Sequence, residues 1–377
     1  MIETPREFDG AGALNVAGRL FRSLHIDGPL LCGLLVLCAM GLMVLYSADG
    51  GNIGRVENQL VRIGVALCAM LVLCQVPPNF LRVWSPWLYG AGLVLLLFVA
   101  IGGVQGKGAQ RWLDLGVIRF QPSEIMKLAM PMLVAWYLHS RTLPPKFREL
   151  CALAVIVIAP AVMIARQPDL GTALLVASSG LFVVFLAGIS LRWILGLGSL
   201  ALAGAPVLWY FMQPYQKSRV LTLLDPERDP LGAGYHTIQA KIAIGSGGLF
   251  GKGWLNSTQA RLEFLPESST DFIFAVIGEE FGLIGLVVVL GLYLFILGRC
   301  AYIATQAQDT FSRLLAGGLG LTFFVYVFVN TGMVTGLLPV VGVPLPLISY
   351  GGTSMVTLMA GFGILMSIHT HRKLLTQ

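Results

Sequence analysis

Long apolar segments recur along the chain, and no other feature of the sequence restricts its fold so strongly. About 20 mostly apolar residues are needed to cross the hydrocarbon core of a bilayer as a helix. The 377 residues are 56% hydrophobic and only 12% charged, which is more apolar surface than a soluble domain of this size can bury. The sequence therefore predicts an all-α, polytopic integral membrane protein.

Apolar runs between polar breaks predict about ten transmembrane helices. They lie near residues 29–47, 59–76, 85–103, 124–141, 150–166, 170–188, 192–212, 272–298, 311–335 and 346–368. A large connection, 213–271, separates the seventh span from the eighth. The predicted organisation is an N-terminal segment (1–28), one transmembrane domain (29–370) and a short tail (371–377). Within the N-terminal segment, apolar side chains on one side of Ala11–His25 favour a helix on the membrane surface.

An even number of spans places both termini on the same side of the membrane. Basic residues flank the spans on that side: Arg19, Arg22, Arg141, Lys146, Arg148, Arg192, Arg299, Arg313, Arg372 and Lys373. The positive-inside rule predicts that this side is cytoplasmic. The short connection 106–121 on the other side is also basic, which fits either an anionic substrate or anionic lipid headgroups equally well.

The sequence does not support a metal site, a nucleic-acid interface or a nucleotide-binding loop. The six cysteines lie in or beside apolar runs without metal-site spacing, which predicts small buried hydrophobes. Basic residues are dispersed instead of gathered on one face, so no nucleic-acid partner is expected. The glycine-rich run "GSGGLFGKG" is not a P-loop, because Gly253 follows Lys252 where Ser or Thr should bind magnesium. It predicts a flexible or tightly turned loop.

Acidic residues are concentrated in the stretch "RLEFLPESSTDFIFAVIGEE", residues 261–280. Considered alone, its centre predicts a helix that starts near Asp271 and is capped by Ser269 or Thr270. Glu279 and Glu280 fall about two turns into that helix, where they are expected to brace neighbouring spans or to pair with a base of the loop. The remaining acids, expected to be solvated or to order the loop, are Glu263 and Glu267.

Three further motifs place polar groups at the ends of spans. "QPSEIMKL" puts Glu124 and Lys127 on one helix face, either as a self-neutralising pair or as part of a functional site. "ARQPDLG" puts Asp169 in a short turn, where it is either an N-cap or a functional acid. "VGVPLPLISYGGTSM" predicts irregular backbone, which membranes tolerate only where protein or a water-filled cavity surrounds it. These charges leave open an enzyme for a lipid-linked anionic substrate, a transporter and a scaffold for partner proteins.

Longer motifs resemble those of the shape, elongation, division and sporulation family. They are Asn330, Gly336, Pro339 and Gly342 followed by "LISYGGTS", the run "RVLTLLDPERDPLGAGYHTIQAKIAIGSGG", and "LEFLPE" followed by "TDFIFAVIGEE". The resemblance covers nearly the whole chain and is closer to the elongation branch than to the division branch of that family.

The resemblance implies a ten-span peptidoglycan glycosyltransferase that polymerises lipid II on the periplasmic side of the bacterial inner membrane during cell elongation. Members of the family act with a class B penicillin-binding protein, which crosslinks the new strand, and with other membrane proteins of the elongation complex. A lipid II flippase is the alternative, because translocation would also use a charged intramembrane cavity.

The resemblance also implies roles for particular residues. Asp271 occupies the family's essential acid, which makes it the expected general base. Glu124, Lys127 and Asp169 occupy cavity-lining positions of the matching motifs. The family pattern usually has histidine two places before the acid, whereas this chain has Ser269. A mechanism that relies on a histidine relay is therefore not expected here.

An inverting displacement of undecaprenyl pyrophosphate needs a carboxylate to accept the proton of the sugar hydroxyl and positive charge to stabilise the leaving group. Glu124 is expected to orient Lys127. The candidates for binding the pyrophosphate are Lys127, Arg111, Lys217, Arg219, Lys241 and Lys252. A divalent cation, Mg²⁺ or Mn²⁺, could share this role, although no ligand cluster in the sequence requires one.

Overall fold

The structure, a computed structural model, describes residues 24–106, 109–114, 119–226, 234–262 and 264–371. Its first seven helices are α1 (Gly28–Ala48), α2 (Ile53–Cys74), α3 (Pro78–Gly102), α4 (Pro122–His139), α5 (Phe147–Arg166), α6 (Leu170–Leu186) and α7 (Leu191–Phe211). The connection that follows contains α8 (Pro214–Leu224), α9 (Tyr235–Gly247) and α10 (Thr258–Arg261). The last three are α11 (Ile273–Thr305), α12 (Thr310–Thr335) and α13 (Thr353–Thr370). A long helix thus lies at each of the ten predicted spans.

The predicted class, an all-α polytopic membrane protein, is confirmed. Among the described residues, seven helices are long and apolar enough to cross a membrane, and α6 is a shorter apolar helix. Helix α4 is less apolar because Glu124 and Lys127 occupy its first turns. The predicted division at residues 28 and 370 stays a prediction, and most of Ala11–His25 and the tail after His371 lie outside the described residues.

Three spans start six or seven residues away from the predicted positions, and α11 ends at Thr305, seven residues later than predicted. Helix α2 begins at Ile53 and α3 at Pro78, about six residues earlier than predicted, because both start with polar turns that an apolar run does not reveal. Pro78 suits the first position of a helix, where its missing N–H has no intrahelical partner. The last helix begins later, at Thr353, because prolines and paired glycines keep residues 336–352 irregular.

A small antiparallel sheet, which the sequence did not predict, lies between α3 and α4. Its order is β1 (Val104–Gly106), β2 (Ala109–Asp114) and β3 (Arg119–Phe120), and Leu113 pairs with Phe120 across the second ladder. The strands are too short for an alternating apolar pattern to identify them. The sheet places Arg111 beside the turn between α5 and α6.

Helices α4, α12 and α13 form the centre of the bundle. Helix α12 packs against α4, α6 and α11, while α13 packs against α2. The outer helices expose apolar side chains; Trp87 of α3, for example, is 72% exposed. A lipid-facing surface accounts for this exposure, because large apolar patches on a protein surface mark contact with a membrane or a partner.

The cysteine prediction holds for half of the positions. All six are free thiols. The buried ones are Cys38, Cys74 and Cys300. The prediction of burial is wrong for Cys32, Cys68 and Cys151, which lie on exposed faces of the outer helices. An apolar run does not distinguish a side chain facing lipid from one facing another helix.

Helix α11 is broken at Gly282, whose φ is 63° and ψ is −159°. The predicted loop, residues 245–253, is wrong for its first three residues, which end α9, whereas residues 248–253 pack into this break and confirm a tight turn there. Four backbone N–H groups donate to backbone carbonyls across the break: Lys252 to Glu279 (3.0 Å), Gly253 to Glu280 (2.9 Å), Leu283 to Gly248 (2.9 Å) and Ile284 to Leu249 (3.2 Å). These bonds satisfy the groups that a broken helix leaves open within a membrane. The short first half of α11 is therefore anchored to the connection that contains α8, α9 and α10.

Candidate active site

Asp271 lies in a tight turn immediately before α11. The Thr270 amide donates to the Glu267 carbonyl at 3.0 Å, and the Thr270 hydroxyl donates to Glu267 Oε2 at 2.7 Å. Glu267 therefore orders the loop, as one of the two predicted alternatives stated, whereas Glu263 lies outside the described residues. The helix starts at Ile273 with Phe272 as its N-cap and no side-chain cap bond, so the predicted capping by Ser269 or Thr270 is wrong.

The irregular segment 336–352 holds this turn in place. Asn330 Nδ2 donates to the backbone carbonyls of both Asp271 (2.9 Å) and Val343 (2.8 Å). Ser349 Oγ donates to the Thr270 carbonyl at 2.5 Å. Gly342 adopts φ 74°, and a Cβ there would lie 3.5 Å from Asp271 Oδ2. The family-like motif thus fixes the backbone on which the Asp271 carboxylate is carried.

Glu124 and Lys127 form a buried ion pair at the start of α4. Lys127 Nζ donates to Glu124 Oε1 at 2.7 Å, and both side chains are more than nine-tenths buried. The ammonium lies 5.4 Å from the centre of the Tyr326 ring. Glu124 Oε2 is buried and has no hydrogen-bond partner among the described residues. Buried polar atoms are normally partnered, so this oxygen marks a polar site that water or a ligand can complete.

Asp169 serves both as an N-cap and as part of a polar cluster. Its Oδ1 accepts the Thr172 amide at 3.2 Å, which is a normal N-cap of α6. Its Oδ2 accepts from Gln121 Nε2 at 3.2 Å and lies 3.6 Å from Arg111 Nε. Arg111 also donates to the Pro168 carbonyl, so the guanidinium fixes the turn that carries Asp169.

These predicted site residues meet at one end of the bundle. A Cβ at Gly171 would lie 2.8 Å from the Val341 carbonyl, which places the start of α6 against the segment that borders Asp271. Tyr326 packs in one cluster with Val343 and lies under the Lys127 ammonium, which links α4 to the same segment. The structure therefore brings together the four motifs that carry these polar groups.

The remaining basic candidates lie in the long connection. Lys217 of α8 reaches the Tyr210 carbonyl at 3.4 Å, and Arg219 lines a small cavity beside Gly336. The side chain of Lys241 also lies against Gly336, because a Cβ added to Gly336 would lie 2.8 Å from Lys241 Nζ. Arg219 and Lys241 thus approach the segment that follows α12. Their assignment as phosphate ligands stays a prediction.

Lys252 is engaged by Glu279. This fully buried carboxylate accepts from Lys252 Nζ (2.7 Å), Ser257 Oγ (2.5 Å) and both the Thr258 hydroxyl (2.7 Å) and the Thr258 amide (3.0 Å). Glu280 accepts from the hydroxyl of Ser47 in α1. The expected roles of the two acids, pairing with a loop base and bracing a neighbouring span, are both confirmed.

Arg55 and Arg62 of α2 were not among the predicted site residues, although both lie close to the Asp271 turn. Arg55 Nη1 donates to Ser269 Oγ at 3.2 Å, and Arg62 stacks over Tyr350, whose amide donates to the Ser269 carbonyl at 2.9 Å. The available signal was their spacing of seven residues at the start of a span, which places both on one helix face.

His236 of α9 provides a pH-dependent contact beside the site. Its ring stacks on Phe272 with centroids 5.7 Å apart, and its buried Nδ1 has no partner among the described residues. Burial lowers the pKa of the imidazole, and the charge of Glu267 opposes this shift. The lowered pKa means that the unfolded chain binds the proton more readily, so folding stability falls as the pH drops below the unfolded value of about 6.5.

We expect the melting temperature of the purified protein to fall between pH 7 and pH 5, and His236→Gln to reduce that fall because the variant has no imidazole to protonate. Thermal unfolding of both proteins across this range is the measurement. An identical pH dependence in the variant would contradict the assignment to His236.

The fold and the site define a polytopic membrane protein with a charged site at one end of its helix bundle. A family model described as cell cycle protein, for FtsW, RodA and SpoVE, matches residues 29–374. The chain belongs to this family.

Individual relatives agree with this membership. The chain is 54% identical to the peptidoglycan glycosyltransferase MrdB of Escherichia coli K12, over 94% of this chain and 96% of that protein. It resembles a chain from a peptidoglycan synthase complex that coordinates polymerisation and crosslinking, with TM-score 0.80 and 33% identity over 91% of this chain and 97% of that one. The Thermus thermophilus rod shape determining protein RodA gives TM-score 0.70 and 29% identity over 92% of this chain and 98% of that chain.

The predicted family and its elongation branch are therefore confirmed. The predicted enzyme class, a peptidoglycan glycosyltransferase, is the one that the MrdB relative's name gives.

Proposed function

We propose that this protein polymerises lipid II into β-1,4 glycan strands in one inverting displacement. Asp271 accepts the proton of the acceptor sugar's 4-hydroxyl as that oxygen attacks the anomeric carbon, and undecaprenyl pyrophosphate departs. The observation that carries the proposal is the meeting of Asp271, Lys127 and Asp169 around one irregular segment. One-step inversion requires a base on one side of the sugar and positive charge on the other.

An apolar groove supports a lipid-linked substrate. It lies between α5, α6 and the start of α7 and has a volume of about 710 Å³. Phe147 and Trp193 line one end, while Ala165 and Leu170 line the other end, next to Asp169. Within a bilayer, van der Waals packing against this groove would hold a polyprenyl chain, because the surrounding lipid is as apolar as the groove itself. Its pyrophosphate would then lie at the charged end of the bundle.

The basic residues differ in how well they suit the pyrophosphate. Lys127 comes first, because Glu124 orients it and because Gln121, the residue before its helix, bonds to Asp169. Arg111 follows, and the α8 and α9 bases Lys217, Arg219 and Lys241 would approach from the long connection. Lys252 is paired with a carboxylate as Lys127 is, but it ranks last because its partners, Glu279 and Thr258, do not belong to the turns that carry Asp169 and Asp271.

A divalent cation, Mg²⁺ or Mn²⁺, that shares the charge of the pyrophosphate belongs to the proposal. Among the described residues, no three His, Cys, Asp or Glu side chains are grouped to hold a metal ion. Phosphate oxygens would therefore supply most of its ligands.

We place the site on the periplasmic side of the inner membrane, with both termini in the cytoplasm. At the opposite end of the spans, Arg141 lies in a connection and Arg148, Arg192 and Arg313 lie in the first turns of their helices, as the positive-inside rule requires. For partners we propose a class B penicillin-binding protein, other membrane proteins of the elongation complex and membrane lipids. Similarity to a chain of a complex that couples polymerisation with crosslinking supports the first of these.

One reconstitution separates polymerisation from translocation. Purified protein in vesicles receives fluorescent lipid II, and both glycan strands and lipid II transfer between leaflets are measured. The proposal expects strands from this protein with no other polymerase present. Transfer without strands, even with the cognate penicillin-binding protein added, would favour the flippase alternative.

A further inference from the structure

Two arginines of α2 flank one aromatic ring beside the candidate active site. The guanidinium carbon of Arg62 lies 4.3 Å from the centre of the Tyr350 ring, and that of Arg55 lies 5.9 Å from it. Seven residues turn an α-helix to within about 20° of its starting direction, so one face of α2 presents both arginines to the ring.

The charges on this face do not balance. Arg55 Nη1 lies 2.5 Å from Asp49 Oδ1, which neutralises Arg55 in part. Arg62 is half-buried and forms no ion pair or hydrogen bond with the described residues. Glu57 lies about 200° around the helix from Arg55, on the opposite face. The positive charge of Arg62, the tenth of the 22 residues of α2, is therefore left without an acid.

This positive face adjoins the turn that carries Asp271. The Tyr350 amide donates to the Ser269 carbonyl, and the neighbouring Ser349 donates to the Thr270 carbonyl. Arg55 itself donates to Ser269 Oγ, at the position where the family pattern usually has histidine. The arginine pair thus contacts Ser269 directly and through Tyr350, two positions before the expected base Asp271.

We propose that Arg62, assisted by Arg55 and the Tyr350 ring, binds a phosphoryl anion carried by a lipid, and that this anion is the pyrophosphate of the lipid-linked substrate. The inference rests on the proposed function and adds a subsite to the six basic residues considered above. Contact with the ring uses none of the five N–H donors of Arg62, so they remain for phosphate oxygens. An arginine fork matches the geometry of a phosphate better than a lysine does.

The test measures the kinetics of glycan polymerisation by the full chain in phosphatidylcholine vesicles with lipid II as substrate. Arg62→Ala is expected to raise KM about tenfold with kcat within about twofold, the effect of one charge-assisted hydrogen bond. Arg62→Lys should give an intermediate KM because charge remains and the fork is lost. Arg82→Ala is the matched control, since Arg82 is a half-buried arginine near the opposite end of the membrane.

A second lipid composition shows which lipid carries the phosphoryl anion that Arg62 binds. The assay is repeated with phosphatidylglycerol in the vesicles. A difference between wild type and Arg62→Ala that appears only there would assign the site to anionic phospholipid and overturn the substrate assignment. A wild-type KM in both vesicles, or a lower kcat with unchanged KM, would overturn the site itself.

Failure of the proposed function is distinguishable from failure of this site. If the wild type made no glycan, native mass spectrometry with undecaprenyl pyrophosphate would still compare wild type with Arg62→Ala. Weaker binding by the variant would support the site, and equal binding would overturn it.

Discussion

Asp271→Asn is expected to lower kcat for glycan polymerisation by about 10² to 10⁴-fold, because the amide cannot accept the proton of the sugar hydroxyl. Binding of lipid II and thermal stability should stay near wild type, because the turn is held through the backbone carbonyl of Asp271 and through Ser349, which the substitution leaves in place. Polymer yield over time at saturating lipid II measures the loss.

The matched control is Asp225→Asn, the same change at an exposed acid of the same long connection. It should polymerise at the wild-type rate. Near-wild-type activity of Asp271→Asn would show that another group accepts the proton.

Gly251→Ala is expected to destabilise the protein by about 3–5 kcal/mol. Gly251 has φ 78°, and a Cβ there would overlap the Glu280 carbonyl at the break in α11. The glycine-rich run would have to leave the break, and the backbone groups that it satisfies would lose their partners. Thermal unfolding in detergent measures the effect, and polymerisation should fall with it because Asp271 precedes the half-helix that the run anchors.

Gly245→Ala, in the same glycine-rich sequence, is the control for this prediction. Gly245 is helical, and a Cβ there would meet no atom within 4 Å. Alanine should therefore change stability by no more than about 1 kcal/mol, in the stabilising direction. Equal destabilisation by both variants would contradict the account of the break.

The acidic residues around the broken helix α11 have different structural roles. The first half of α11 carries Asp271 before its start and Glu279 and Glu280 near its end. Glu279 organises the long connection through Lys252 and Thr258, and Glu280 contacts α1 through Ser47. These two acids position the half-helix, whereas the proposed chemistry is assigned to Asp271 at its start.

Features that depend on local composition were predictable from the sequence. Span number follows from the length of apolar runs, since only about 20 apolar residues reach across a bilayer. The pairing of Glu124 with Lys127 follows from their spacing of three on a helix. Asp271 could be assigned a role only through the family resemblance, because its local pattern predicted a helix cap that the structure does not contain.

Features that depend on long-range contacts were not predictable. The break at Gly282 is stabilised by residues about 30 positions earlier, and Gly282 alone resembles any helical glycine in sequence. The contact between Arg62 and Tyr350 joins residues almost 290 positions apart, so no local pattern encodes it. The short sheet around Arg111 likewise lacks an apolar period long enough to identify strands.

The central claim is that this chain itself forms glycan strands with Asp271 as the base. The most direct test incubates purified wild type and Asp271→Asn with lipid II in the absence of any other polymerase and resolves the products by length. Strands are expected from the wild type and almost none from the variant. Strands from both at equal rates would contradict the role of Asp271, and strands from neither, with the partner present, would contradict the polymerase itself.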